Sequence, residues 1–131
     1  MPVAKAQPGK TLLDPSNHTL IMIDHQSQMS FATKSIDAVT LRNNAALVAK
    51  AAKEFKVSTI LTTVAEKSFS GPIFDEIRSV FPEHHVIDRT TMNSWEDARI
   101  AEQVNKIGKD KVGPTMQTEV QRPASAISVI L

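Results

Sequence analysis

The 131-residue sequence contains no cysteine, and this absence limits its chemistry more than any residue that is present. Without a thiol, the sequence has no disulfide, no thiolate metal site and no cysteine nucleophile of its own. Tyrosine is also absent, and Trp95 is the only tryptophan. This scarcity argues against a platform that stacks single-stranded bases, because such platforms are built from aromatic side chains.

An excess of charge is missing as well, since 15 Lys and Arg residues face 14 Asp and Glu residues for a net charge of +1. A protein with balanced charges lacks the surplus of positive charge that is typical of proteins that bind nucleic acid or an anionic membrane. No stretch approaches the roughly 18 apolar residues of a membrane span, and residues 1–10 lack the apolar segment of a secretion signal. We therefore predict a cytoplasmic protein that binds neither nucleic acid nor membrane and whose partner is a small-molecule substrate or another protein.

Only four glycines are present. The sequence contains no glycine-rich phosphate loop, no GxSxG elbow and no HExxH motif, so nucleotide-binding and serine-hydrolase explanations fall away. The adjacent pair His84 and His85 follows Pro82 in a predicted turn, where two neighbouring rings do not converge on one metal. We predict no metal and no cofactor.

The most informative segment is LIMIDHQ at residues 20–26. Four large apolar residues that stop abruptly at Asp24 predict a strand buried on both faces. In open α/β sheets, ligands bind at the carboxyl ends of such strands. Asp24 is therefore placed where chemistry would occur.

Strand and helix patterns alternate along the rest of the chain, which predicts a layered α/β fold with a parallel sheet in one domain. We expect residues 1–17 to form an irregular arm and residues 18–112 to form the core. Ser94 with Asp97 resembles a capping box that opens the last helix, and Gly108 ends that helix. The predicted elements are a strand at 19–24, a helix at 36–55, a strand at 57–64, a short helix at 72–80, a strand at 86–89 and a helix at 95–107.

The pattern changes after Val112, where a fourth strand is due. Gly113 and Pro114 interrupt it, and proline cannot donate to a central ladder, so we predict that this strand is missing or displaced. Residues 113–131 then form a divergent tail, and the sheet is incomplete on its C-terminal side. The tail ends in an apolar, β-prone stretch that we expect to pack on the domain or on another subunit, which favours a homo-oligomer.

Two residues are candidates for catalysis. Asp24 either caps the following loop or serves as a general base. Gln26 could orient that carboxylate or bind a substrate amide, whereas His25 is expected to pack. Arg89 ends the third predicted strand at the same sheet edge, where it could pair with Asp24, hold an anionic substrate group or form an ordinary salt bridge. Glu66 follows the second strand and lies near this edge.

Three segments together resemble the isochorismatase-like cysteine hydrolases, and in particular a branch of unassigned specificity. The resemblance runs in order from residue 12 to residue 112. The segments are IDHQ at 23–26, TILTT at 59–63 followed by Glu66 and Gly71-Pro72, and RTTMNSWED at 89–97.

This resemblance implies a three-layer α/β/α sandwich around a parallel sheet. It also implies a reaction in which an Asp activates a Cys that attacks a carbonyl carbon, commonly that of an amide. By position, Asp24 and Arg89 match the catalytic base and its basic partner. The substrate-binding residues implied are Gln26, Glu66, Asn93 and Trp95.

The nucleophile of the family has no counterpart here. Thr118-Glu119-Val120 matches the family's approach to its cysteine, but Gln121 stands at the cysteine position. Two hypotheses follow. The first is a hydrolase by descent whose activity is impaired in this chain, which would be truncated or divergent. The second is a non-catalytic homologue that serves as a binding or oligomer-assembly module.

Overall fold

The computed structural model describes residues 14–108 together with the backbone of residues 111–116 and 129–130. The arm predicted for residues 1–17 lies outside the described residues apart from a turn at 15–17. The strands are β1 His18–Ile23, β2 Ser58–Val64, β3 Val86–Arg89, β4 Lys111–Met116 and β5 Val129–Ile130. The helices are α1 Ala38–Glu54, α2 Asp75–Arg78 and α3 Ala98–Ile107, with 3₁₀ turns at Met29–Ala32 and Ser94–Glu96.

All neighbouring strands pair in parallel, and they form one five-stranded sheet in the order β3-β2-β1-β4-β5. The chain therefore moves outward from β1 to β3, returns to the other side of β1 for β4, and continues to β5. The point between β1 and β4 is a topological switch, where the carboxyl ends of the strands leave a crevice open to ligands. The predicted α/β fold with a parallel sheet is confirmed.

Helices cover both faces of the sheet and bury a separate apolar cluster on each. On one face, α1 and α2 pack against alternate strand residues such as Met22 and Leu61. On the other face, Ile100 of α3 packs against the intervening residues Ile21, Ile23, Ile60 and Ile87. Successive strand residues point to opposite faces of the sheet, so each face has its own set of strand side chains. Both sets are apolar, as expected for a sheet that is buried on two sides.

Side-chain caps fix where the long helices begin. Asp37 accepts a hydrogen bond from the backbone N of Thr40 at 2.9 Å and opens α1, and Asp97 accepts one from the backbone N of Arg99 at 2.9 Å and opens α3. Gly108 ends α3 with a φ of 71°, as predicted. Of the helices described, none is both long and apolar enough to cross a membrane.

The predicted capping box at Ser94 is wrong. Asn93 accepts a hydrogen bond from the backbone N of Trp95, which makes a 3₁₀ turn of Ser94–Glu96 instead of a first helical turn. Asp97 then supplies a second cap, and α3 starts after it. Two Asx caps in close succession therefore split one predicted helix into a turn and a shorter helix.

The prediction that the fourth strand is missing or displaced is also wrong. β4 pairs with β1 along its whole length, and Gly113 and Pro114 stand opposite Leu20 and Ile21. The described part of β5 pairs only with the last two residues of β4. Proline is tolerated where a strand lacks a ladder partner on one side, and among the described residues β4 pairs at Pro114 with β1 alone.

Candidate active site

The carboxyl ends of β1, β2 and β3 bring together side chains from distant parts of the sequence. Asp24 follows β1 directly, Thr62 lies near the end of β2, and Arg89 is the last residue of β3. All three residues are buried. The edge they share includes the switch point beside β1, so the fold places them where α/β proteins bind ligands.

Asp24 and Arg89 form a bidentate ion pair. The Nη1 atom of Arg89 lies 3.0 Å from Oδ1 of Asp24, and its Nη2 atom lies 3.1 Å from Oδ2. The Arg89 side chain is 0% exposed and that of Asp24 is 9% exposed. Charge-assisted pairs of this geometry are among the stronger hydrogen bonds in proteins. The predicted proximity of the two residues is confirmed, whereas their catalytic role stays a prediction.

The remaining donors of Arg89 are also committed. Its Nη1 donates to Oγ1 of Thr62 at 2.8 Å, its Nη2 to the carbonyl of Met92 at 3.2 Å, and its Nε to the carbonyl of Thr91 at 3.3 Å. With the two bonds to Asp24, the five N–H donors of the guanidinium group are all occupied. An anionic substrate group could contact Arg89 only by displacing one of these partners. The geometry therefore favours the pairing role over the anion-binding one.

Sequence reasoning did not find Thr62. Its hydroxyl accepts from Arg89 and donates to the carbonyl of Ile87 at 2.8 Å, so it fixes the guanidinium group against β3. The available signal was a polar residue two positions after Ile60, on the same inward face of a strand. Taken alone, a buried threonine in a β-rich segment is too common to stand out.

The backbone of Asp24 explains how the ion pair forms. In a regular strand, Asp24 would share the face of Met22, which packs towards α1. Arg89 shares the face of Ile87, which packs towards α3. The two side chains would then point to opposite faces. Asp24 instead adopts a left-handed φ of 56°, which breaks the alternation and lets its carboxylate reach Arg89.

Gln26 is fully buried, and its amide contacts backbone. The Nε2 atom donates to the carbonyls of Val64 at 3.0 Å and Gly71 at 2.7 Å, and Oε1 accepts from the backbone N of Val64 at 2.9 Å. The amide therefore links the ends of two strands and a loop. Its predicted contact with substrate stays a prediction.

Glu66 lines a surface groove of about 590 Å³, and its backbone N donates to Oδ1 of Asp88 at 3.0 Å. Neither Asp24 nor Arg89 lines this groove, so a role for Glu66 in substrate binding stays a prediction. The groove is lined by Glu66, Pro72, Ile73, Asp75, Arg78, Pro82, Glu83, His84, His85 and Val86.

Asn93 and Trp95 lie in the loop that follows Arg89. Asn93 is exposed, and its side chain caps the local 3₁₀ turn. Trp95 is half-buried and packs against the apolar cluster beneath α3, on the face of the sheet that carries Arg89. The loop as a whole is tied to the ion pair through the carbonyls of Thr91 and Met92.

His25 packs in the core, as predicted. Its ring is fully buried and meets the ring of Phe74 edge-on, with 6.1 Å between centroids. Among the described residues neither ring nitrogen has a hydrogen-bond partner. Burial lowers the pKa of His25 from 6.5 to about 4, because the charged ring would lose its hydration without gaining a partner.

In chemical terms the site presents a fixed carboxylate. Two guanidinium N–H groups favour the charged form of a carboxyl group, and a buried carboxylate of this kind can accept a proton from a nucleophile. Residues 14–108 hold no group of three or more His, Cys, Asp or Glu side chains that could bind a metal ion.

Comparison with known proteins identifies similar hydrolases. No family model matches the chain. The probable hydrolase YcaC of Escherichia coli (strain K12) is 29% identical over 101 residues, which cover 76% of this chain and 49% of YcaC. The chain therefore spans about half the length of this curated relative. Over this stretch the chain is similar to YcaC, and the similarity supports a hydrolase-like protein.

Three solved structures are similar to this chain as well. The crystal structure of the Escherichia coli ycaC gene product, an octameric hydrolase of unknown specificity, gives a TM-score of 0.78 at 27% identity over 84% of this chain and 54% of that one. YcaC from Pseudomonas aeruginosa with hexane-2,5-diol and covalent acrylamide gives 0.78 at 25% identity over 84% and 55%. The MAR1 ribonuclease of Caenorhabditis elegans, at 0.64 and 16% identity over 79% and 52%, shares the fold alone.

Proposed function

We propose that this chain carries an isochorismatase-like hydrolase site in which Asp24 is the general base and Arg89 holds it charged and oriented. The observation that carries the proposal is the buried bidentate contact between the two side chains at the carboxyl ends of β1 and β3. A hydrolase-like role also agrees with the similarity to YcaC over 76% of the chain.

We propose further that the substrate is a small cytoplasmic molecule with an amide-type C–N bond. Because the sequence has no cysteine, Asp24 would act on water. The carboxylate would take a proton as the water oxygen attacks the carbonyl carbon, and would return it to the nitrogen as the C–N bond breaks. Since the sequence supplies no thiolate nucleophile, we expect impaired turnover. A positioned general base alone still raises the reaction rate roughly 10²- to 10⁴-fold.

Ammonia release from a panel of small primary amides tests this proposal on the 131-residue chain. We expect slow turnover that thiol reagents leave unchanged and that Asp24→Asn reduces roughly 100-fold or more. Asp75→Asn, at an exposed carboxylate outside the site, is the matched control and should retain activity. Turnover that survives Asp24→Asn would show that the base is elsewhere, and no turnover at all would reject the hydrolase proposal for this chain.

A second candidate is a non-catalytic module that binds a partner or assembles into a homo-oligomer. The hydrogen bonds of Arg89 favour this second candidate. All donors of its guanidinium group bond within the protein, so the group stabilises the fold. Large apolar side chains also stand exposed in the loops that follow β1, β2 and β3, namely Phe31 at 85%, Phe69 at 67% and Met92 at 58%. A relative of known structure is octameric, which supports self-association of this chain.

Light scattering coupled to size-exclusion chromatography tests this second candidate. We expect a particle heavier than the 14.4 kDa monomer, and we expect Phe31→Ser combined with Phe69→Ser to lower its mass. A monomer at all protein concentrations would reject assembly as the function.

A further inference from the structure

Where β1 ends, side-chain hydrogen bonds take the place of the backbone hydrogen bonds between β1 and β2. The last regular bond runs from the backbone N of Asp24 to the carbonyl of Thr62 at 3.0 Å. In a continuing parallel ladder, the N–H of Val64 would donate to the carbonyl of Asp24, and the carbonyl of Val64 would accept from the N–H of Gln26. The structure shows neither bond in that form.

The side chain of Gln26 makes both of the missing contacts. Its Oε1 accepts from the backbone N of Val64 at 2.9 Å, and its Nε2 donates to the carbonyl of Val64 at 3.0 Å. The backbone N of Gln26 turns back instead to the carbonyl of Asp24 at 2.9 Å. A side-chain amide therefore takes the place of one main-chain unit beside Val64. The backbone of Asp24 departs from the regular strand conformation at this point.

A third contact fixes the amide from the other side. Nε2 also donates to the carbonyl of Gly71 at 2.7 Å, and Gln26 forms an antiparallel bridge with Ile73. Gln26 is 0% exposed, so the three bonds are shielded from water. Buried polar networks of this kind specify one geometry, because every broken bond leaves an unsatisfied group.

We infer that Gln26 is the positioning residue of the site: by standing in for the main chain of β1 against Val64, its amide holds Asp24 in the left-handed conformation that directs the carboxylate to Arg89. A non-glycine residue with a φ of 56° is held there only when its surroundings enforce it. The inference rests on the proposed function only in taking Asp24 as the general base.

Nuclear magnetic resonance of the full chain tests the inference without turnover. The readouts are the solvent exchange rates of the Arg89 Nη protons, which donate to Asp24, and the backbone chemical shifts of Asp24. Gln26→Glu keeps the shape but loses both Nε2 donor bonds, and Gln26→Asn keeps the amide but shortens its reach. Gln103→Glu, at an exposed position on α3, is the matched control.

We expect both Gln26 variants to speed exchange of the Arg89 Nη protons roughly tenfold or more and to move the Asp24 shifts away from left-handed values, with β1 and β2 otherwise intact. In an Asp24→Asn background, Gln26→Asn should change the Arg89 signal less, because the residue acts through the carboxylate. Unchanged Arg89 and Asp24 signals in a folded variant would overturn the inference. Global unfolding of both variants would overturn it too, because Gln26 would then hold the whole sheet. Failure of amide turnover leaves these readouts untouched and bears only on the proposed function.

Discussion

Lowering the pH should destabilise this protein in part through His25. The ring is fully buried without a described hydrogen-bond partner, and burial lowers its pKa from 6.5 to about 4. Between these two values the unfolded chain binds a proton that the folded chain does not. Stability from this residue is therefore fully present above pH 6.5 and is lost as the pH falls to about 4.

The magnitude follows from the interval between the two pKa values. It spans about 2.5 pH units, and each unit corresponds to about 1.4 kcal/mol, so the full loss is on the order of 3 kcal/mol. Most of this loss should fall between pH 7 and pH 4. With an m value of about 2 kcal/mol/M, the urea midpoint should fall by roughly 1.5 M from this source.

Urea unfolding of the wild type and His25→Leu at several pH values isolates the contribution. The variant removes the titrating ring but keeps an apolar side chain of similar size, so its stability should fall less between pH 7 and pH 4, by about 3 kcal/mol. His85→Gln, at an exposed position, should fall as the wild type does. If His25→Leu loses stability as steeply as the wild type, then the buried ring is not the acid-sensitive group and the reasoning is wrong.

Two further predictions concern stability and are measured by urea unfolding at pH 7. Arg89→Met removes the guanidinium partner of the buried Asp24 carboxylate and should cost about 3–5 kcal/mol, part of which Asp24→Asn should restore in the same chain. Arg99→Met breaks the ion pair of Asp97 with a half-exposed Arg and should cost much less, and an equal cost for both would contradict the buried-charge argument. Asp97→Ala removes the cap of α3 and should cost about 1 kcal/mol, whereas Glu102→Ala in the exposed middle of that helix should cost a few tenths.

The strands that position the site could be predicted because their sequences leave little choice. The apolar run of residues 20–23 suits only a strand or helix buried all round, and the polar residues that follow it at once favour the short option. The segment of residues 86–89 is equally bounded, and β3 spans the predicted residues. Parallel pairing then places Asp24 and Arg89 at one edge of the sheet, although it does not decide which face each side chain takes.

The fourth strand could not be predicted because its environment is not local. Pro114 forbids a central strand only if ladder partners lie on both sides, and the sequence of β4 does not say how far its neighbour extends. The described pairing of β5 begins one residue later, at Thr115. A rule about proline thus failed because it needed a fact about a strand more than ten residues away in the sequence.

The limit of sequence reasoning at the site itself is the conformation of Asp24. Period-two alternation places Asp24 and Arg89 on opposite faces, so a sequence reader who applies it strictly would deny the ion pair that the structure contains. The exception depends on Gln26, whose amide satisfies Val64 in place of the main chain and so allows a left-handed residue at the end of a buried strand. The rule of alternating side chains fails here because a side-chain amide makes hydrogen bonds that the backbone makes in a regular sheet. This replacement occurs beside the carboxylate that we propose as the base. The departure from regular geometry is therefore itself an argument that residues 24–26 are shaped for a site and not only for the sheet.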